Sequence, residues 1–283
     1  MNAPHAPRGL ARRHVVFAIL VAAALAAWYL DLSWRGLLPR GQGLALWRRF
    51  FAAALRPAFD YEGSWRPADG PPFLWVIVQS LFETCRFALA SMGLALVFGL
   101  ALGIFASRSF WTKSGESDPA GWRRLAWSGA RALATLLRSV HELLWALVLL
   151  AAIGLGETAA LLALTLPFTG ILAKIFSEQL EEAPGGASLA LEAAGSPRAR
   201  ALLVGRLPLA WPDMAAYAFY RFECAVRSSA VLGFFGFPTF GYHLELSYHS
   251  LHYREVWTQL YALAMLVWVL ERWSTRLRSR GAF

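Results

Sequence analysis

Three charged side chains stand within one apolar stretch of the chain, between residues 213 and 235. They are Arg221, Glu223 and Arg227. A charge in the hydrocarbon core of a bilayer is costly, and such residues usually pair with one another or contact a polar ligand. Glu223 and Arg227 are four residues apart, so a helix would place them on one face as an ion pair. The arginine guanidinium also offers a fixed fork of donors that suits the oxygens of a phosphate-like anion.

Two interpretations of this cluster stay open on the sequence alone. One is a structural ion pair that holds helices together, and the other is the lining of a pathway for an anion. Arg221 lies about 200° around a helix from Glu223 and therefore requires a separate partner. The two serines that follow Arg227 are small enough to line a narrow pore. The pathway hypothesis therefore comprises Arg221, Glu223, Arg227, Ser228 and Ser229.

The composition is that of a helical membrane protein. Apolar residues make up 57% of the 283 positions, aromatic residues 14% and charged residues only 16%. Several apolar stretches approach the roughly 20 residues that a helix needs to cross a bilayer. In a membrane protein, the net charge of +9 is explained by arginines at the ends of the spans, where they contact anionic membrane lipid. It does not indicate binding to nucleic acid.

The apolar stretches predict six membrane-spanning helices, an all-α polytopic bundle. The spans fall at about residues 15–30, 87–106, 143–155, 158–175, 213–235 and 256–270. The first span is preceded by Arg8, Arg12 and Arg13 and resembles a signal peptide, but the spans that follow favour a retained helix. Gly93, Gly99 and Gly103 along the second span would let helices pack closely.

The segments between the spans are predicted to be mainly polar. Loops are expected at residues 107–130 and 237–254, and residues 176–208 are polar. Residues 31–72 are predicted to form an external segment, in which an amphipathic helix at about residues 44–55 lies at the membrane interface. We therefore divide the chain into residues 1–72, with the first span and this segment, and residues 73–283, which form the bundle.

Lysine and arginine are concentrated in alternate segments of the chain. These segments are residues 1–14, 107–139, 174–210 and 272–283. Because basic residues near the ends of spans stay on the cytoplasmic side, this bias predicts that both termini are cytoplasmic. The polar segment at about residues 183–208 is then cytoplasmic too.

That cytoplasmic segment carries the pattern of a short helix-turn-helix. A helix over residues 188–195 is predicted to end at Gly195, a good residue for a helix C-terminus. Pro197 is predicted to open the next helix at a favoured early position, and Leu207 and Pro208 follow. The pattern indicates either a docking surface for a soluble partner, which would supply the energy, or an ordinary loop.

Taken together, these motifs resemble the permease subunit of a binding-protein-dependent ABC importer, most closely the phosphonate type. The likeness spans roughly residues 75–280. It is carried by the spacing from Gly195 to Leu207 and Pro208, and by the stretches 80–84, 138–147, 169–182 and 220–233. The family's glutamate-alanine-alanine signature falls in register on residues 189–191, so Glu192 does not inherit the role of the family's glutamate.

The resemblance implies a MetI-like bundle that works as a homodimer in the bacterial inner membrane. It implies two copies of an ATP-binding ABC subunit, which hold ATP and Mg, and a periplasmic substrate-binding protein, with no cofactor bound by this chain. The implied cargo is a phosphonate, phosphite or phosphate-like oxyanion. Departures at residues 235–242 leave another small solute, such as an amino acid, as an alternative. The implied ATPase-coupling residues are Ala190, Leu191, Gly195, Ser196, Leu207 and Pro208.

An intramembrane enzyme is a second class of hypothesis. His141 with Glu142, or Glu83 with Arg86, would serve as its acid–base pair. No Walker A phosphate-binding loop occurs in the sequence, so ATP binding by this chain is not expected. Three histidines of the segment 237–254 would form a polar loop that touches a binding protein or, less simply, a metal site; they are His243, His249 and His252.

Overall fold

The computed structural model describes residues 12–32, 41–63, 70–112 and 119–279, and all regular structure in these ranges is helical, as predicted. The helices are α1 (Arg12–Tyr29), α2 (Gln42–Ala54), α3 (Phe73–Ala106), α4 (Arg108–Trp111), α5 (Trp122–Ser139), α6 (Glu142–Ile153), α7 (Glu157–Glu182), α8 (Gly186–Ala193), α9 (Arg198–Arg200), α10 (Leu207–Val231), α11 (Phe240–His249) and α12 (Tyr253–Ser279). A π-helical turn, Ala201–Arg206, joins α9 to α10, and a 3₁₀ turn, Leu232–Phe235, follows α10.

The chain divides into two compact units, Met1–Leu55 and Arg56–Phe283. The first unit contains α1, which matches the predicted first span, and α2, which matches the predicted amphipathic helix. Arg8, which the sequence places before the first span, lies outside the described residues. The division at residue 72 that the sequence predicted is a different one, based on function. It separates an N-terminal extension from a permease core, and it stays a prediction.

The helices α3 and α7 form the centre of the second unit. Their close approach depends on small residues, as in other membrane helix pairs. A Cβ atom on Gly99 would lie 2.8 Å from Leu172 Cβ, and one on Gly103 would lie 3.1 Å from the carbonyl oxygen of Ala173. Gly93 was expected to share this role, but a Cβ there would meet nothing within 4 Å.

The helix α3 begins much earlier than the predicted span at residues 87–106. Its 34 residues extend over about 51 Å at 1.5 Å per residue. Two polar residues of its first half, Ser80 and Thr84, are buried, and their hydroxyls donate to the carbonyl oxygens of Ile77 and Ser80 in the same helix. Arg86 is exposed and pairs with Glu83 and Glu157. Polarity facing a neighbouring helix does not end a membrane helix.

The predicted loop at residues 107–130 is wrong, because α4 and the first half of α5 lie within it. The charged residues on one side of α5 led to the prediction of a loop. In the structure, α5 is an amphipathic helix whose other side packs on α7. The contact is tight at Gly170, where a Cβ would lie 2.6 Å from the carbonyl oxygen of Ala134. The following helix, α6, has 12 residues and is bent by 91° from α5. It extends only about 18 Å, so the predicted span at residues 143–155 is too short to cross alone.

Within the described ranges, α3 and α7 are each long and apolar enough to cross a membrane, and α5 with α6 makes a third crossing if the bent pair is one span. The number of six spans stays a prediction. The helix α7 contains Pro167 and continues to Glu182, so the polar segment that starts at residue 176 is helical at its beginning.

The predicted loop at residues 237–254 is also wrong, because α11 occupies Phe240–His249. This helix is fastened to α10 through two glycines in direct contact. A Cβ on Gly241 would lie 2.1 Å from the carbonyl oxygen of Ala230, and one on Gly233 would lie 2.1 Å from the backbone nitrogen of Tyr242. Packing of this kind leaves no periodic signal in a short segment.

Candidate functional site

The helix α10 carries a polar face along its second half. At 100° per residue, its polar members fall within an arc of about 120°. They are Tyr217, Tyr220, Arg221, Cys224, Arg227 and Ser228. Each of these side chains is exposed or half-buried. Three of the five predicted pathway residues therefore share one side of the helix.

The opposite face of α10 is apolar. It forms the floor of a cavity of about 600 Å³, to which α3, α7 and α12 also contribute. The α10 side chains that line it are Trp211, Met214, Ala215, Ala218, Phe219 and Phe222. An apolar surface of this kind suits lipid or another helix, whereas the polar face requires water, a polar partner or a passing solute.

The side chain of Arg221 is held by two tyrosines of its own helix. Its Nε donates to Tyr217 Oη at 2.8 Å, and its guanidinium carbon lies 5.3 Å from the Tyr217 ring and 5.7 Å from the Tyr220 ring. The sequence indicated that Arg221 requires a partner other than Glu223, and the rings of Tyr217 and Tyr220 are that partner. Among the described residues, no carboxylate is ion-paired with Arg221, so its charge is available to an anion.

Arg227 projects from the same face and is exposed. Its Nη2 lies 3.6 Å from Cys224 Sγ, which is a weak contact. The expected ion pair between Glu223 and Arg227 is not formed within the described part of the chain. Glu223 is half-buried at the edge of the polar face.

The two serines have different surroundings. Ser228 Oγ donates to Glu142 Oε1 at 2.7 Å and so connects the polar face to the first turn of α6. Ser229 is fully buried on the other side, where its Oγ donates to the carbonyl oxygen of Thr84 at 2.9 Å. The Thr84 hydroxyl in turn accepts from the backbone N–H of Phe240 at 3.0 Å. Ser229 thus lies at the junction of α3, α10 and α11.

Sequence reasoning did not assign Tyr217 or Glu142 to this site. The position of Tyr217, four residues before Arg221, is the one signal that could have found it. Glu142 was considered only with His141, and these two side chains do approach, with His141 Nε2 3.6 Å from Glu142 Oε2. The other acid–base candidate is an ion-pair network, since Arg86 lies 2.9 Å from Glu83 and 3.1 Å from Glu157.

The predicted short helix is present as α8, and it ends as expected. Gly195 has φ +86°, a value that favours glycine. Its N–H donates to the carbonyl oxygen of Glu192 at 3.0 Å, and the Ser196 N–H donates to that of Leu191 at 2.9 Å. These bonds cap the last carbonyls of the helix. Ala190 is exposed and Leu191 is half-buried, so α8 presents part of its surface outward.

Two prolines shape the chain after α8. Pro197 was predicted within the first helical turn, but its ψ of 147° places it one residue before the helix. Pro208 follows the π-helical turn, in which the Leu207 N–H donates to the carbonyl oxygen of Leu202. Proline has no N–H to continue the regular ladder, and the wider turn absorbs this loss.

A buried carboxylate fastens the segment before α3 to the turn between α11 and α12. Glu255 is only 4% exposed; it accepts from the backbone N–H of Glu62 at 2.6 Å and from Ser247 Oγ at 2.9 Å. His252 Nδ1 lies 3.4 Å from the same carboxylate, and His249 lies 3.7 Å from Glu245. No group of three or more His, Cys, Asp or Glu side chains could hold a metal ion in the part of the chain that the structure describes.

The described part of the chain is a helical bundle with a polar face on one long helix, α10, and a short capped helix, α8, between α7 and α9. Residues 120–271 match the family described as binding-protein-dependent transport system inner membrane component. The chain belongs to this family. It is therefore a multi-pass membrane protein and a transport subunit, not an enzyme.

Similar proteins support this assignment. The chain is 30% identical over 271 residues to the phosphite transport system permease protein PtxC of Stutzerimonas stutzeri, covering 96% of this chain and 89% of that protein. It is 31% identical over 214 residues to the phosphate-import permease protein PhnE of Mycolicibacterium smegmatis, covering 74% of this chain and 38% of that protein. A chain of the MetNI methionine ABC transporter, solved in inward-facing conformations, has a TM-score of 0.62 and 22% identity, covering 74% of this chain and 97% of that chain; this last likeness concerns the fold alone.

Proposed function

We propose that this chain is the membrane-spanning permease of an ABC importer for phosphite, phosphonate or a phosphate-like oxyanion. The observation that carries the proposal is the polar face of α10, where two arginines, Arg221 and Arg227, stand on one side of a membrane helix. Arginine is costly in such a place unless it meets an anion or a partner, and its fork of donors matches an oxyanion. The names of the relatives, a phosphite permease and a phosphate-import permease, agree with this cargo.

The pathway runs between two copies of the chain, each of which turns the polar face of α10 toward the other. Arg221, held rigid by Tyr217, and Arg227 bind the anion in turn, and Ser228 offers a hydroxyl near the contact with α6. Glu223 stands at the margin of the pathway. Ser229 serves it indirectly, because its buried hydrogen bond to α3 fixes the rotation of α10.

The driving force comes from outside the membrane. In the inner membrane, with both termini in the cytoplasm, α8 of each copy docks on one of two ATP-binding subunits, which hold ATP and Mg. Its contact surface includes Ala190 and Leu191. Gly195 and Ser196 fix the end of α8, and Leu207 and Pro208 begin the helix that it moves. A periplasmic binding protein delivers the anion to the opposite side.

Competition for uptake tests the cargo. Cells that express this chain with its ATPase and binding protein, and that lack other phosphite uptake, take up radiolabelled phosphite. A 100-fold excess of unlabelled phosphite, methylphosphonate or phosphate is expected to suppress this uptake to different degrees, with at least one reducing it about tenfold. The same excess of methionine is expected to have no effect. Absence of uptake of labelled phosphite, methylphosphonate and phosphate alike, or suppression by methionine alone, would contradict the proposed cargo.

A further inference from the structure

The helix α8 directly follows α7 through residues 183–185. Two further connections lead from α8 to α10 and α4. The first is the covalent chain, which leaves α8 at Gly195 and passes through α9 and the π-helical turn into α10. The second is a side chain, Arg206, the last residue of that turn. Its Nε donates to Ser188 Oγ in α8 at 3.2 Å, and its Nη1 donates to Ser109 Oγ in α4 at 2.7 Å. One guanidinium therefore joins three elements.

The packing around Arg206 leaves little space for rearrangement. A Cβ on Gly205 would lie 2.9 Å from the Cα of Ser188, and a Cβ on Gly185 would lie 2.9 Å from Arg206 Nη2. Ser188 is buried, and its hydroxyl also donates to the carbonyl oxygen of Gly185 at 2.9 Å. The start of α8 and the π-helical turn are thus in backbone contact, and the hydrogen bonds of the Arg206 guanidinium add to this contact.

The helix α4, which Arg206 contacts through Ser109, is in turn held by the helices of the bundle. The helix α4 directly follows α3, and the backbone N–H of Arg108 donates to Glu181 Oε1 of α7 at 2.7 Å. Arg131 of α5 donates to the same carboxylate at 3.3 Å and to the carbonyl oxygen of Ala106 at 3.1 Å. A displacement of α4 therefore reaches α3, α5 and α7 together.

The covalent route is the softer one. A π-helical turn is rare and is found frequently at functional sites in helices, and Pro208 removes a further backbone hydrogen bond. Motion of α8 along this route can be absorbed at Ala201–Arg206 before it reaches α10. The route through Arg206 and Ser109 bypasses this turn.

We propose that Arg206 is a transmission residue, which links α8 to α4 and thereby converts motion of α8 into motion of α3, α5 and α7. The proposal rests on the proposed function, in which α8 receives the motion of the ATPase. When the contacts of Arg206 are lost, α8 stays docked on the ATPase and ATP hydrolysis continues. A smaller part of the motion of α8 is then transmitted to the helices that line the pathway. The transporter then hydrolyses more ATP for each anion that it moves.

The test is the number of ATP molecules hydrolysed per anion taken up, measured in proteoliposomes that contain this chain, its ATPase and its binding protein. R206A is expected to raise this ratio at least tenfold, mainly through slower uptake. R206K, which retains the charge but not the fork, is expected to give an intermediate value. S109A, which removes only the α4 contact, is expected to raise the ratio about threefold. Arg200→Ala is the matched control, because Arg200 is an exposed arginine of the same segment, and its ratio is expected to equal that of the wild type.

An unchanged ratio in both R206A and S109A would overturn the proposal, and S109A decides alone if R206A does not reach the membrane. A merely structural role would lower uptake and hydrolysis together and leave the ratio as it is, which also overturns it. Failure of the wild-type complex to couple uptake to ATP would instead overturn the proposed function itself, so the two failures are distinguishable.

Discussion

Arg227→Ala is expected to reduce anion uptake about 100-fold while leaving folded permease in the membrane. A hydrogen-bonded contact with a charged group contributes up to about 3 kcal/mol, and about 1.4 kcal/mol corresponds to a factor of ten. The side chain is exposed, and its contact with Cys224 Sγ at 3.6 Å is too weak to support the fold. The truncation therefore removes the anion's partner without opening a cavity.

The measurement is the initial rate of uptake, divided by the amount of permease in the membrane. Arg272→Ala is the matched control, since Arg272 is also exposed and its guanidinium lies 5.2 Å from the Trp268 ring on α12, away from the polar face of α10. We expect this control to transport normally and Arg227→Lys to retain part of the activity, because lysine keeps the charge without the fork. Wild-type uptake by Arg227→Ala would remove Arg227 from the pathway.

Gly195→Pro is expected to abolish the stimulation of ATP hydrolysis by loaded binding protein. Proline holds φ near −65°, whereas Gly195 has φ +86°. Proline also lacks the N–H that donates to Glu192. The chain must then leave α8 in another direction, so the helix no longer meets its groove on the ATPase as one rigid piece with the bundle. Because Gly195 is exposed, the bundle and the dimer are expected to stay intact.

Two variants separate the turn from general damage. Gly195→Asn is expected to keep most of the stimulation, since asparagine tolerates the left-handed conformation and a Cβ at this position would meet nothing within 4 Å. Gly129→Ala, in an equally open position of α5, is expected to behave as the wild type. Normal stimulation in Gly195→Pro, with the variant present at wild-type level, would show that this turn does not couple the two subunits.

The sequence was sufficient where one local property decides the structure. The end of α8 is an example, because a glycine after a short helix is a C-cap signal and the structure forms it at Gly195. The same holds for α7, where apolar length predicted the helix and Pro167 did not break it. Side-chain size predicted the close approach of Gly99 and Gly103 to α7, but it predicted the same for Gly93, where a Cβ would meet nothing within 4 Å.

The sequence was insufficient where partners are distant along the chain. Glu142 joins the site only through Ser228, 86 residues later, and no periodicity points to that pair. The helix α11 is held at its start by the backbone N–H of Phe240, which donates to the Thr84 hydroxyl from 156 residues away, and composition cannot reveal this contact. The charges of α5 indicated a loop. The side of α5 that packs on α7 can be recognised only when the position of α7 is known. Ion pairing between Glu223 and Arg227 was inferred from spacing, and the structure turns Arg227 toward Cys224 instead.

The central claim is that this chain is a passive gate moved by an ATPase docked on α8. Its most direct test is anion uptake into proteoliposomes with ATP enclosed in the lumen and binding protein outside. We predict uptake only when this chain, the ATPase, ATP and the binding protein are all present, and loss of uptake when any one is omitted. Equal uptake without the ATPase or without ATP, or no uptake by the complete system, would contradict the account.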